Sequence, residues 1–179
     1  YGAPSKVADI HGNVSETDYT PFGKRYLTYS PDGAWTHTAY GNCLSISCPV
    51  GAVFSAITRQ AGGNWGAEFF DVLGRVIESR QMGFNGSSTI LTKTEYDALG
   101  RVKRQSQPFY DFNTPYWTET SYDTLGRPVK VSSPTEFLPI EQTVTYNGLT
   151  STTNVTSSNF SALIDDDIDR QSIQTLNIL

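Results

Sequence analysis

The chain has 179 residues, a net charge of −5 and 37% apolar residues, fewer than the roughly 45–50% of an average globular chain. The acidic balance argues against a nucleic-acid binder that neutralises phosphates, and no segment of this chain has the pattern of a transmembrane helix or a signal peptide. Because 12% of the residues are aromatic, we expect a folded rather than a disordered chain.

Weak copies of one short pattern recur through residues 1–45. In each copy glycine follows an aromatic or acidic residue, and the copies are Asp9–Gly12, Tyr19–Gly23, Tyr29–Gly33 and the shortened Tyr40–Gly41. Tyr19 and Tyr40 are 21 residues apart, a period that holds two strands of about seven residues and two turns of about three or four. We therefore predict degenerate β-hairpin repeats in this region.

Cys43 and Cys48 are the two cysteines of the chain. They form a disulfide if the segment turns back on itself, whereas on one straight strand their odd separation points them to opposite faces. The sequence leaves both alternatives open. A zinc site shared with His11 and His37 is not expected, because these four residues do not supply the ligands that zinc needs at this spacing.

Residues 46–66 carry no copy of the pattern and are expected to connect two repeat regions. Within them, the apolar stretch 51–58 predicts one buried strand or a short helix. The glycine-rich residues 61–66 predict a flexible turn. They are not a phosphate loop, because no Lys-Ser/Thr pair follows them.

Residues 67–153 contain three strong copies of an aromatic-Asp-x-x-Gly-Arg motif, spaced 26 residues apart. In each copy the Asp carboxylate is placed to accept bonds from turn amides, and glycine supplies the positive φ of a type I turn with a following bulge. Arginine then begins the return strand over an aromatic ring or a carboxylate. We interpret these residues as structural, because neighbouring copies would otherwise all have to be active sites. The turn residues are Asp71, Gly74, Arg75, Asp97, Gly100, Arg101, Asp123, Gly126 and Arg127.

The strands between these turns are rich in threonine and polar on both faces. A two-layer sandwich needs one apolar face per strand, so we predict an all-β fold in which stacked antiparallel β-hairpins form a curved single-layer sheet. Cross-strand pairs and repeat stacking stabilise such a sheet. The motif aromatics are expected to be substantially buried in one row on one face, and they are Phe70, Tyr96, Tyr122 and Tyr146.

Residues 107–117 form the best candidate for a binding site, since they hold five aromatics, two prolines, one Asp and one Asn. Exposed aromatic rings beside polar side chains can stack on sugar rings and bond hydroxyls. The alternative is an ordered loop between repeats whose aromatics cover an edge of the sheet. The candidate glycan-binding residues are Phe109, Tyr110, Asp111, Phe112, Tyr116 and Trp117.

Residues 154–179 are expected to form an acidic tail outside the repeats. Apolar residues at helical spacing predict a short C-terminal helix, and they are Phe160, Leu163, Ile164 and Ile168. Asp165, Asp167 and Asp169 match three ligand offsets of a calcium loop, but Arg170 stands where that loop needs glycine. We therefore expect a solvated acidic face rather than a metal site.

The recurrent Tyr-Asp-x-x-Gly-Arg motif resembles the YD repeat of Rhs proteins. That family includes bacterial polymorphic toxins, the B and C components of insecticidal Tc toxins, and animal teneurins. The resemblance covers residues 70–150 closely and 5–45 loosely, and residues 107–118 are most similar to Rhs proteins with Tc-toxin or SpvB-like N-terminal parts. It implies a spiralling hairpin sheet that closes into a hollow shell around a toxic C-terminal domain.

The chain departs from this family in three ways, since it has few repeats, no Asp-Pro-rich self-cleavage motif and no toxin domain. The resemblance therefore implies a fragment or truncated member, secreted or at the cell surface, that cannot enclose a cargo alone. It implies other Rhs repeats or a toxin domain of a parent protein as partners, and neither enzymatic activity nor a cofactor. The alternative function is a secreted or cell-surface carbohydrate-binding module that uses residues 107–117.

A short sheet cut from a spiral has two open edges, each with unpaired backbone groups. Residues 142–146 lack the proline or inward lysine that usually blocks pairing. The tail is long enough to cover one edge at most. We therefore expect a homo-oligomer held partly by pairing of edge strands.

Overall fold

The computed structural model describes residues 4–43, 48–135 and 139–157, and these residues contain strands and turns but no helix. Each strand pairs antiparallel with its neighbours, so the predicted all-β fold of antiparallel hairpins is confirmed. The predicted C-terminal helix, with its acidic face, lies outside the described residues. The fourteen strands are β1 (Lys6–Ala8), β2 (Val14–Tyr19), β3 (Arg25–Tyr29), β4 (Trp35–Asn42), β5 (Phe54–Gln60), β6 (Trp65–Phe70), β7 (Val76–Met82), β8 (Thr89–Tyr96), β9 (Val102–Ser106), β10 (Phe109–Tyr110), β11 (Trp117–Tyr122), β12 (Pro128–Ser133), β13 (Ile140–Asn147) and β14 (Thr150–Ser157).

The chain divides into two compact units. The first comprises Tyr1–Lys93 and Tyr110–Asn113, and the second comprises Thr94–Phe109 and Thr114–Leu179. In the first unit, strands β1 to β8 follow one another across the sheet in chain order. In the second, the order is β8, β9, β11, β12, β13 and β14, so β9 pairs with β11 across the segment between them.

Seven tight turns connect these strands with one shared hydrogen-bond pattern. The amide of the first turn residue donates to the carbonyl of the fifth, and the glycine amide at the fourth position donates to the carbonyl of the first. A register shift marks a β-bulge where the turn follows an aromatic residue, as between Glu95 and Tyr96 and between Ser121 and Tyr122. The turns span residues 9–13, 20–24, 30–34, 60–64, 71–75, 97–101 and 123–127.

The turn at residues 60–64 lies in the segment that carries no repeat marker, and it has the same bonds as the others. The turn predicted from glycine-rich residues 61–66 is therefore present, but Gln60 stands at the position that Asp holds in the strong copies, so the residues do not reveal that it is a copy of the repeat turn. Of the two alternatives for the apolar stretch 51–58, the structure has a strand, β5, in which Ser55 alone is buried. The disulfide left open by the sequence is formed, with the Cα atoms of Cys43 and Cys48 5.7 Å apart.

The core is very small. Among the described residues, Ala67, Phe69 and Leu91 are the buried apolar side chains, and all three lie in the first unit. A sheet with so little apolar burial gains little from the hydrophobic effect, which scales with buried apolar area. Its stability must therefore come largely from ladder bonds, turns and contacts between side chains of neighbouring hairpins.

Candidate functional site: the repeat clamp

The Asp of each strong motif copy is the hydrogen-bond centre of its turn. In the second unit, Asp97 Oδ1 accepts the amides of Leu99 and Arg101, both at 2.9 Å. Its Oδ2 accepts the Arg101 guanidinium, with Nε at 2.7 Å and Nη2 at 2.7 Å. Asp71 and Asp123 repeat this arrangement with their own arginines. Each carboxylate thus holds its turn and its arginine at once.

This bonding lowers the pKa of the motif carboxyls. Desolvation raises the pKa of Asp97, but hydrogen bonds from the amide and side chain of Arg101 outweigh it, so the pKa lies below its ordinary value. The same balance lowers the pKa of Asp71 and Asp123. Hydrogen bonds to the charged form favour that form, so these carboxylates stay ionised to a lower pH than an ordinary Asp.

The turn at residues 9–13 has the same carboxylate bonds, but the side chain that binds the carboxylate is neutral. Asp9 Oδ1 accepts the amides of His11 and Asn13, and its Oδ2 accepts the Asn13 side-chain amide at 2.8 Å. The bond from that side chain is the main cause of the lowered pKa of Asp9. Asparagine thus takes the place of arginine as the partner of the turn carboxylate.

The motif arginines also contact the next hairpin. In the second unit, the guanidinium of Arg101 lies 4.4 Å from the ring centre of Tyr122, and that of Arg127 lies 4.1 Å from the ring centre of Tyr146. A guanidinium over an aromatic face gains a cation–π interaction. Arg101 and Arg127 therefore each contact both a carboxylate and an aromatic ring, the two alternatives that the sequence offered for the motif arginines.

The same tyrosines anchor their hydroxyls on the preceding turn. The Tyr122 hydroxyl donates to the Val102 carbonyl at 2.8 Å, and the Tyr146 hydroxyl donates to the Pro128 carbonyl at 2.9 Å. In each case the acceptor directly follows the arginine that covers the ring. We call this set of contacts the repeat clamp: turn Asp, its Arg, and the next tyrosine bonded through its ring face and its hydroxyl.

The first unit contains a clamp built from different residues. Lys24 Nζ lies 5.0 Å from the ring centre of Tyr40, and the Tyr40 hydroxyl donates to the Arg25 carbonyl at 2.9 Å. Tyr40 stacks on Phe54 with ring centres 6.2 Å apart, and Phe54 contacts Phe70 at 5.7 Å. The weak N-terminal copies therefore preserve the contact between hairpins although lysine replaces arginine. The four motif aromatics Phe70, Tyr96, Tyr122 and Tyr146 are all half-buried.

We expect Tyr122→Phe to lower the free energy of unfolding by about 1 kcal/mol, because it removes one hydroxyl bond and leaves the ring under Arg101. Urea denaturation measures the change. Tyr116→Phe is the matched control, since Tyr116 is 59% exposed and should change stability by less than about 0.5 kcal/mol. Equal effects of the two variants would contradict a contribution from the hydroxyl bond.

The aromatic segment 107–117 is divided between the two units, and each part is described by itself. In the first unit, Tyr110 and Phe112 stack in parallel with ring centres 5.3 Å apart, and the Asp111 amide donates to the Thr89 carbonyl at 3.0 Å. Phe112 is 73% exposed, and Asp111 is also exposed. This part of the segment presents an aromatic ring beside a carboxylate to solvent.

In the second unit, Phe109 and Trp117 are half-buried and Tyr116 is exposed. The Arg104 guanidinium lies 4.4 Å from the Trp117 ring centre and forms two bonds with Glu95. The side-chain bond to Glu95 raises the pKa of Arg104. One face of Trp117 is therefore occupied by a fixed guanidinium, which limits its use as a stacking platform.

Within residues 4–43, 48–135 and 139–157, no group of three His, Cys, Asp or Glu side chains is arranged to hold a metal ion. The same residues include no helix long and apolar enough to cross a membrane. The two histidines lie in β4 and in the first turn, and His37 contacts the Tyr26 ring edge-on at 6.3 Å between centres.

Comparisons with known proteins give a distant structural likeness. No family model and no curated protein sequence matches the chain. A solved structure titled "Crystal Structure of TcdB2-TccC3" is similar to 83% of this chain, with 11% sequence identity and a TM-score of 0.48. The matched region spans 12% of that chain. The relation to YD-repeat proteins therefore remains a resemblance in the sequence motif.

The tyrosine hydroxyl bonds are the part of the clamp that sequence reasoning missed. Their signal is the offset between a tyrosine and the residue after the preceding motif arginine, which is 20 residues for Tyr122 and 18 for Tyr146. Lys24 was also missed as a ring partner. It follows the glycine of its turn as arginine does in the strong copies, so the position itself carries the signal.

Proposed function

We propose that this chain is a non-catalytic structural repeat segment of the kind that builds the wall of an Rhs-type toxin shell. The observation that carries the proposal is the repeat clamp, which joins hairpins through Arg–Tyr contacts in the second unit and through the related Lys24–Tyr40 contact in the first. A wall between two aqueous spaces needs polar faces on both sides, and the scarcity of buried apolar side chains in the described residues supports this. The segment would belong to a longer wall of a secreted or cell-surface protein and would not enclose a cargo alone.

Limited proteolysis of the parent protein tests this proposal. If the reading frame that holds this segment continues into further repeats and a C-terminal domain, trypsin should leave that domain intact in the wild-type parent. The double variant Asp97→Ala/Asp123→Ala should expose it, because two turns lose their carboxylates. Leu99→Ala is the control, since Leu99 is 77% exposed at a hairpin tip. If trypsin digests the C-terminal domain equally fast in the wild-type parent and in the double variant, the shell role is contradicted.

We also propose that an edge strand of this segment pairs with another Rhs repeat or with a second copy of the chain. Among the described residues, β14 pairs on one side with β13, and its eight residues include no charge and no proline. Long uncharged edge strands invite pairing with another chain. We expect a dimer or larger oligomer in light scattering at micromolar concentration. A monomer mass would contradict this expectation.

The second candidate function is carbohydrate binding through the aromatic segment, and the exposed stacked ring of Phe112 is what favours it. A glycan array on the purified chain would show binding that Phe112→Ala removes and Leu99→Ala leaves intact. Both residues are more than 70% exposed, so neither change should unfold the chain. An array with no bound glycan would remove this candidate.

A further inference from the structure

Gly66 lies inside a strand where no feature of the fold requires glycine. It pairs with Thr58 on one side and with Gln81 on the other, with no register shift at this position. It is not among the glycines with positive φ. A Cβ added here would have one neighbour within 4 Å, the Arg80 carbonyl oxygen at 3.6 Å, which is an ordinary contact. Glycine within a strand marks a bulge, a bend or the close approach of a ligand or another backbone.

A groove of about 630 Å³ opens over Gly66 in the first unit, within the usual size range of ligand sites. All the residues that line it are uncharged. Three of them carry side-chain amides that are exposed and make no hydrogen bond within the described residues, and these are Gln60, Asn64 and Gln81. The absence of charge in the lining favours a neutral ligand.

The chemistry of the lining favours a sugar over a peptide. A side-chain amide offers a donor and an acceptor side by side, which matches a pair of neighbouring hydroxyls. Trp65 and Phe84 add aromatic surface, and Phe84 is 95% exposed. A peptide that binds by strand addition needs unpaired backbone groups, whereas β6 is already paired on both sides.

We propose that the groove over Gly66 binds a neutral oligosaccharide. The ligand would lie over the glycine, against the aromatic side chains, with its hydroxyls bonded to the three amides. None of the residues that line the groove belongs to the aromatic segment 107–117, and the proposal does not depend on the shell proposal. The groove residues do not belong to the repeat clamp, so the ligand can bind without disturbing it.

The proposal is tested by titrating the full chain with cellohexaose, maltohexaose and chitohexaose. Calorimetry and tryptophan fluorescence detect binding. We expect at least one hexasaccharide to bind and Gly66→Val to weaken it at least tenfold, because the valine side chain fills the groove floor. The Tm of this variant should stay equal or rise, since valine favours strands. Phe112→Ala should leave the affinity unchanged.

Gln81→Leu is the second variant, because it removes one amide from an exposed position and leaves the groove open. It should lower the affinity for the same hexasaccharide at least threefold. This variant decides the outcome if Gly66→Val fails to fold. Absence of binding by all three sugars would overturn the proposal, as would equal affinity of Gly66→Val and the wild type. Loss of binding in Phe112→Ala alone would place the sugar in the aromatic segment and also overturn it. Gly66-dependent binding of an uncharged Ser/Thr peptide, without sugar binding, would overturn the ligand class.

Discussion

Replacement of Gly100 by valine should lower the free energy of unfolding by about 1–3 kcal/mol, the cost of holding a non-glycine residue in a sparsely populated backbone region. Gly100 has φ of 82°, and its amide donates to the Asp97 carbonyl at 2.9 Å. A β-branched side chain is a poor fit at positive φ. The chain must therefore either accept the strain or open the turn.

Thermal and urea denaturation of Gly100→Val measure this loss. Leu99→Val is the matched control, because it places the same side chain one residue earlier, at a position that is 77% exposed. The control should stay within about 0.5 kcal/mol of the wild type, as surface substitutions usually do. An unchanged Tm for Gly100→Val would refute the assignment of this turn.

Acid should destabilise the chain in several turns at once. The pKa values of Asp71, Asp97 and Asp123 lie below their ordinary value of 3.8 in the folded state. As pH falls, the unfolded chain therefore binds protons first, and folding stability declines by linkage. The stabilisation is fully present above the ordinary value and is lost as pH falls through the lower folded-state values.

Urea midpoints between pH 7 and pH 2.5 test this prediction. The midpoint should stay flat from pH 7 to about pH 5 and then fall steeply. The double variant Asp97→Asn/Asp123→Asn should show a shallower fall, because two of the titrating groups are gone, while their amide oxygens can still accept the turn bonds. Parallel pH profiles of the variant and the wild type would contradict a role for these carboxylates in acid unfolding.

Local chemistry explains how much of the fold the sequence predicted. Asp97 and Gly100 specify their turn through bonds within five residues, so the motif predicts where the strands reverse. Contacts between hairpins depend on register, which a single sequence does not display. The bond from Tyr122 to Val102 therefore appeared only in the structure. The glycine-rich residues 61–66 predicted a turn, but only the bonds of residues 60–64 show that it belongs to the repeat pattern.

The candidate sites were less predictable for the same reason. Aromatic composition drew attention to residues 107–117, but it gave no sign that Arg104 covers Trp117. The groove over Gly66 combines residues from several strands, and none of its side chains forms a motif in the linear sequence. Its one local signal was a glycine between Trp65 and Ala67 in a segment with strand character.

Each repeat clamp joins a hairpin to the next one along the chain, and this affects how the chain folds. Apart from the β9–β11 and β8–β10 pairings, successive strands pair in chain order, so most strand pairs form between segments that leave the ribosome close together. Local contacts of this kind favour fast folding, and repeat arrays can begin folding at any unit and propagate. Each new hairpin can therefore dock on the one made before it, and synthesis itself can set the order of assembly.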